Sequence, residues 1–488
     1  MTAEDSNDRK AMKTIVLIVP NSRWFDRRPW MSFPYSALIL TALLKDKYNF
    51  SIVDANGDDL SGDQCFERVK AARPDAVLVT GGSFEYYKAA HLALAAGKRA
   101  NPSAITILGG VYPTTLPEEA VKDPNLDWAF LNHAENRIVP FLELLFDGKI
   151  DEARRFSGIA YRGPNNVMIR NPTTSFIGDV KVMERPDYSL AEIGKYLKPA
   201  TLDYQFNSDK ATAYILTSYG CPYNCVFCAS RTISGNRLVY RPVADVLDEI
   251  DFFVREHSIG NIIFIDEALL ADRRRVNTIL KSLIERGYNL SWKATSVSAW
   301  HLDDDLLDLM KTSGCTQLTI SVESGCQRVL NEVIHKPLQL EIIPPLLKKC
   351  KELGIDLGAN FVIGLPGETW EEIRETFRFA ERCDFDVCHF HIATPAPATD
   401  LYRIAREKRL LPSDFSFTDS RFFGYCHGFI TTDEFTPFEL AVLRAFEWDR
   451  INFSTPEKIA KVARLYGTTL EKLGEHRVQT RRKLGEHF

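Results

Sequence analysis

The stretch ATAYILTSYGCPYNCVFC, Ala211 to Cys228, joins an apolar β-type run to a loop with three cysteines in eight residues. A run of that composition bounded by Gly and Pro reads as a buried strand. Downstream the rhythm repeats. Strands are expected at NIIFIDE from 261, SWKATS from 291, TQLTISVES from 316, DLGANFVIG from 356 and DVCHFHIAT from 386, separated by amphipathic stretches such as VADVLDEIDFFVREH and TWEEIRETFRFAERC. Six βα units in line predict a barrel or partial barrel, with the cysteine loop at the C-terminal end of its first strand, where βα loops build active sites. Three sulfur ligands at the spacing Cys221-x-x-x-Cys225-x-x-Cys228 suit an iron–sulfur cluster better than zinc, because a structural zinc site closes with four protein ligands and no neighbouring Cys or His supplies the fourth.

Upstream, from Lys13, short β-branched runs alternate with amphipathic segments: TIVLIVP, SFPYSALILTALLKD, FSIVDANGDD, DQCFERVKAAR, DAVLVTGGS, then TILGGV and DWAFLNHAEN. Five strands in βα order predict a doubly wound, Rossmann-like parallel sheet. Residues 151–206, rich in Gly, Pro and Asn, read as a linker with a hairpin. The expected domains are therefore 1–150 (doubly wound), 151–206 (linker), 207–400 (partial barrel) and 401–488 (helical, on the substrate side). In the last of these, FFGYCHGF and FEWDRINF offer aromatics for packing or recognition.

The chain of 488 residues carries 60 Lys and Arg against 65 Asp and Glu, a formal charge of −5. No basic field exists to gather nucleic acid. No apolar run approaches a membrane span and the N-terminus lacks an apolar secretory core, so a cytoplasmic protein is expected. Cys65, Cys315, Cys326, Cys350, Cys383, Cys388 and Cys426 are scattered beside apolar sequence and read as core thiols.

At its cysteines, with Phe227 just before the last, the chain resembles the radical S-adenosylmethionine superfamily. SVESG (Ser321 to Gly325) and GANFVIGLPGET (Gly358 to Thr369) agree with that resemblance in their order along the barrel. It implies a four-iron four-sulfur cluster on Cys221, Cys225 and Cys228, with one iron open to S-adenosylmethionine. It further implies that Phe227, Asp266, Glu267, Ser321, Glu323 and Gly364 bind that cofactor: the second strand end meeting the amino group, Ser321 and Glu323 the ribose, and the fifth strand the adenine. Carboxylates can accept hydrogen bonds from an ammonium and from ribose hydroxyls, although Glu323 could instead cap a helix or pair with Arg328.

With the doubly wound sheet in front, the arrangement is similar to the cobalamin-dependent members of that superfamily; GGVYPTTLPEEA (109–120) and LNHAEN (131–136) carry the likeness. Cobalamin contacts are then expected from Asn21, Gly81, Gly82, Ser83, Gly109, Gly110, Tyr112 and His133. No Asp-x-His-x-x-Gly string follows the first strand, so no histidine is expected on cobalt. No GxGxxG loop supports a nicotinamide dinucleotide. The resemblance implies a radical methyltransferase acting on an unactivated carbon or phosphorus centre of a small biosynthetic precursor, served by a one-electron reductant such as flavodoxin or ferredoxin. A cyclase, ring-contracting or oxidising enzyme, and a non-catalytic sensor or carrier, are the alternatives.

Overall fold

The computed structural model describes residues 12–25, 33–174, 183–197, 210–423 and 426–485. They divide into two compact units, one within Met1–Asp179 and Glu184–Ile193, the other within Val180–Met183 and Gly194–Phe488.

The first unit is built on β1 (Thr14–Val19), β2 (Asn49–Asp54), β3 (Ala76–Gly81), β4 (Ile105–Gly110) and β5 (Trp128–Phe130), with β6 (Ile159–Arg162) and β7 (Met168–Arg170) completing the sheet order β2-β1-β3-β4-β5-β6-β7. The first five strands are parallel, and their apolar runs are buried because helices cover both faces. Ile15, Leu17, Leu78 and Ile107 pack with Phe141 and Leu142 in one core. The order of the strands reverses between β1 and β3, the switch point at which a crevice opens at the carboxyl ends of a parallel sheet. The hairpin expected in a linker is instead part of this sheet: β6 pairs antiparallel with β5 (Ala129 with Ala160, Phe130 with Ile159) and covers what would be an open edge. The N-terminal unit therefore extends beyond residue 150.

In the second unit, β8 (Thr212–Ile215) leads into a small ladder of β9 (Ser218–Tyr219) and β10 (Val239–Tyr240), followed by β11 (Asn261–Phe264), β12 (Ser291–Val297), β13 (Cys315–Glu323), β14 (Asp356–Ile363) and β15 (Val387–Ile392). The six parallel strands stand in simple sequential order from β8 to β15, as a partial barrel requires. One face carries the helices: Phe361 stacks on Phe390 at 5.1 Å, and Phe377 from the helix Trp370–Cys383 lies 4.7 Å from Phe390. Strand alternation turns Ser321, Asn360 and His389 to the other, concave face, where register places them in one row.

The free edge of β15 is closed by the helix Pro437–Asn452. The Asn452 amide accepts from Cys388 N (2.7 Å) and donates to Cys388 O (2.9 Å), as a further strand would, and Arg444 Nε donates to Phe390 O at 2.7 Å. Residues beyond 400 thus complete the barrel unit and do not form a separate domain. Phe422 and Phe429, 4.4 Å apart and buried, belong to its packing; Gly424 and Tyr425 of the same string lie outside the described residues.

Candidate active site

Strand β8 ends at Ile215, Thr217 and Ser218 follow it, and the first cysteine of the loop, Cys221, comes three residues after Ser218. Gly220 takes φ +86°, and a Cβ there would sit 2.2 Å from Arg237 O, so only glycine lets the loop leave beneath the β9–β10 ladder. Val226, at the loop centre, is buried; its N–H donates to Ile334 O (3.1 Å) and its carbonyl accepts from Leu401 N (2.8 Å). Cys228 N donates to Cys225 O at 3.0 Å. Phe227 is half-buried beside them.

Asp266 and Glu267, the pair that follows β11, hold both ends of this loop. Asp266 is buried and accepts from Thr217 N (3.1 Å), Thr217 Oγ1 (2.6 Å) and Ser218 Oγ (2.6 Å), while burial pushes its carboxyl up. Its oxygens are thereby committed to the strand end, which argues against the contact with a cofactor amino group expected for it. Glu267 accepts from Gly220 N at 2.7 Å and from Ser230 Oγ at 2.6 Å, clamping the residues on either side of the three cysteines. It is exposed, and its charge bears on Cys221 and Cys228.

All three thiols are free. Burial raises each, Cys225 to about 11, and the charges of Cys221 and Cys225's neighbours add to this: Cys221 raises Cys228, and both raise Cys225. Three thiolates here repel one another, an arrangement that iron neutralises. Among the described residues no three His, Cys, Asp or Glu converge on a single-ion site.

Lys336, Trp300 and His301 at this site were missed from sequence. Glu323 adopts φ 72°, unusual for a side chain with a Cβ, and ion-pairs at 3.1 Å with Lys336; both are buried, and Arg328 instead pairs with Glu372. Lys336 lowers Cys221 and Cys225, so this buried pair borders the cysteines. Its ammonium also lies 5.4 Å from the Trp300 ring, which in turn packs edge-on against Tyr223 of the cysteine loop at 4.9 Å. The Tyr223 hydroxyl sits between Trp300 Nε1 (2.9 Å) and His301 Nε2 (2.6 Å). The βα loop after β12 was the available signal for Trp300 and His301. Ser321 lies on the concave face, half-buried. Gly364, at φ +83°, donates its N–H to buried Glu368.

In the first unit the residues expected to contact cobalamin separate into two groups. Asn21 is buried and its amide is spent on Asp59 Oδ1 (2.9 Å) and Leu60 O (3.1 Å), which ties the loops after β1 and β2 together. Gly81 and Gly110 pack on each other: a Cβ on Gly110 would lie 2.1 Å from Gly81 O. Tyr112 is fully buried, its hydroxyl 2.9 Å from His91 Nε2. These four are held within the unit by packing and hydrogen bonds. Ser83 donates to Glu85, whose carboxyl burial raises.

Gly82 and Gly109 face open space. A Cβ on exposed Gly82 meets nothing within 4 Å, and on Gly109 only Phe130 O at 3.9 Å. His133 Nδ1 lies 3.6 Å from Glu135 Oε1, while Glu135 Oε2 is buried with no hydrogen-bond partner. A bare backbone platform beside the β1/β3 crevice and an unsatisfied buried acceptor after β5 suit a flat ligand fringed with amide donors, as cobalamin is.

Comparison with known proteins agrees with this geometry. The model of the radical SAM superfamily matches residues 215–380 and that of the B12 binding domain residues 32–141. Cytidylyl-2-hydroxyethylphosphonate methyltransferase of Streptomyces wedmorensis is 29% identical over 403 residues, covering 76% of this chain and 74% of its own. An uncharacterized methyltransferase of Pyrococcus horikoshii is 28% identical over 406 residues, 82% of this chain and 85% of its own. The solved structure of the radical S-adenosylmethionine methyltransferase TsrM from Kitasatospora setae, with tryptophan substrate and a SAM analogue bound, shares the fold at a TM-score of 0.68 and 18% identity, over 83% of this chain and 79% of that one.

Proposed function

We propose that this chain, a radical S-adenosylmethionine protein with an N-terminal B12 binding domain, is a methyltransferase for an unactivated carbon or phosphorus centre of a small molecule. The observation that carries the reading is the three-cysteine loop at the end of the first barrel strand, in one chain with a β2-β1-β3-β4-β5 sheet whose crevice is rimmed by Gly82 and Gly109. The curated relatives of similar length that bear methyltransferase names support the outcome. When bound, the cluster supplies one electron to S-adenosylmethionine and cobalamin supplies a methyl carrier.

The chain's residues would divide the remaining work. Cys221, Cys225 and Cys228 hold the cluster. Glu267 keeps the loop ends in place through Gly220 and Ser230, and Asp266 fixes the strand from which the loop springs. Glu323 and Lys336, a buried pair beside the cysteines, offer an acceptor and a donor to the polar end of the cofactor, while Ser321 stands on the same strand. The Gly364 turn, after the fifth strand, would meet the adenine, and Phe227 would contact the cofactor beside the cysteines. Glu135 and His133 would hold polar groups of the cobalamin.

The electron comes from an external one-electron donor of the flavodoxin or ferredoxin class. The net charge of −5 gives the chain no overall positive field to gather nucleic acid. No described helix is long and apolar enough to cross a membrane, and among the described residues the cysteines are free thiols, as a reducing cytoplasm would keep them.

The test is reductive cleavage. Anaerobically reconstituted protein given S-adenosylmethionine and dithionite should release 5′-deoxyadenosine, and with substrate should yield product heavier by one methylene. Protein with full cluster content that releases no deoxyadenosine refutes the reading; deoxyadenosine with a cyclised or rearranged product of unchanged methyl count refutes methyl transfer alone.

A further inference from the structure

The concave face of the barrel unit carries a set of nitrogen donors far from the cysteines in sequence. His389 and His391 project from the same side of β15, their rings nearly parallel, 13° apart in plane and 6.5 Å between centroids. Register sets His389 beside Asn360 of β14, and Asn360 beside Ser321 of β13. Adjacent strands lie about 4.8 Å apart, so His389 stands about 10 Å from Ser321, one small molecule's length along the same surface. Tyr466 closes the row at its far side, its ring 5.9 Å from that of His389 and its hydroxyl 3.5 Å from Nδ1.

Arg444 approaches from the edge helix. Its Nε donates to Phe390 O, the carbonyl between the two histidines, and its guanidinium lies 5.9 Å from the Trp448 ring. It is half-buried and has no carboxylate partner among the described residues. The other charged surroundings are of one kind: the imidazole of His391 is pushed down to about 3 by burial first, then by His389 and Arg444, with no acidic group bearing on it. Partial burial of a guanidinium without a counter-charge is costly, and an entering anion offsets that cost while two-centre geometry fixes its orientation.

We propose that His389, His391 and Arg444 form the subsite that recognises an oxyanionic group of the substrate, a phosphoryl or a carboxylate. The inference rests on the radical S-adenosylmethionine reading only in taking the concave face as the substrate's side. It names the substrate class: a small molecule with its anionic group anchored on β15 and the rest of its body reaching toward β13. The histidines supply ring N–H donors and Arg444 supplies the charge.

Methylphosphonate and ¹³C-acetate serve as probes of the two sources, followed by ³¹P and ¹³C line broadening on titration with the reconstituted holoprotein. Saturable broadening of methylphosphonate, of acetate, or of both is expected in wild type. It should weaken about tenfold in Arg444→Gln and in His389→Ala, the loss of one charge-assisted or one buried hydrogen bond. Which probe binds assigns the phosphoryl or the carboxylate source. Arg444→Gln also frees the Phe390 carbonyl, so if that variant does not fold, His389→Ala decides.

Absence of broadening by either probe overturns the inference, as does broadening unchanged in a folded variant. Cleavage of S-adenosylmethionine is measured on the same wild-type preparation. Cleavage without anion binding sinks this inference and leaves the function standing, whereas anion binding without cleavage does the reverse.

Discussion

Replacing Glu368 by Gln should flatten the pH dependence of the barrel unit's stability. Glu368 is 1% exposed; Oε2 accepts from Gly364 N (2.8 Å) and Leu365 N (3.1 Å), and Oε1 is buried with no partner. Burial dominates and pushes the carboxyl from 4.5 up to about 8, against the pull of those two N–H groups. A carboxyl raised on folding is protonated more readily in the native than in the unfolded chain. Its stabilising contribution is therefore complete below about pH 4.5 and is lost as pH rises through about 8. At about 1.4 kcal/mol per pK unit the full shift sets a ceiling of about 5 kcal/mol, and relaxation and water entry at the turn reduce it to about 2–3 kcal/mol. Glutamine keeps an acceptor for Gly364 and Leu365 and stays neutral. Urea unfolding followed by tryptophan fluorescence should show wild type losing about 2–3 kcal/mol relative to the variant between about pH 5 and 9. A wild-type-minus-variant difference that does not change with pH would refute the burial argument for Glu368.

Ala at Cys221, Cys225 or Cys228 should abolish cofactor cleavage, and the triple variant should lose its iron and sulfide; a full complement of both in the triple variant contradicts the cluster assignment. Cys65, Cys350 or Cys383 changed to Ser should leave iron content intact, since each thiol is at least half-buried in packing away from the loop, and iron loss in a folded variant would reveal a second site. Gly110→Ala should damage folding by driving a Cβ to 2.1 Å from Gly81 O, whereas Gly82→Phe should leave thermal stability within about 0.5 kcal/mol and weaken cobalamin binding measured by equilibrium dialysis. Glu249→Gln, which strips the partner from buried Arg241, should cost about 3–5 kcal/mol in the same urea assay.

The barrel strands and the cysteine loop were legible because their signals are local: β-branched runs, glycine punctuation and three sulfurs close in sequence. What escaped depends on distant pairing. The hairpin β6–β7 has the composition of a linker, and only the open edge of β5 makes it a sheet extension. Asp266 and Glu267 are adjacent in the loop after β11, yet one turns to Thr217 and Ser218 and the other to the loop ends, which no spacing distinguishes. Lys336 lies 13 residues from Glu323 and reaches it only because the turn Val329–Ile334 and a left-handed His335 fold it back. The close approach of Gly81 and Gly110, paired across β3 and β4, is likewise set by distant pairing.

The central claim, that one active site makes a radical and transfers a methyl group, is tested most directly by the fate of S-adenosylmethionine labelled in its methyl group. With reductant, cobalamin and substrate present, 5′-deoxyadenosine and S-adenosylhomocysteine should accumulate together, with the label in the product and both nucleosides absent from the triple cysteine variant. Deoxyadenosine alone with unlabelled product, or homocysteine product that persists in the cysteine variant with labelled substrate, would contradict it.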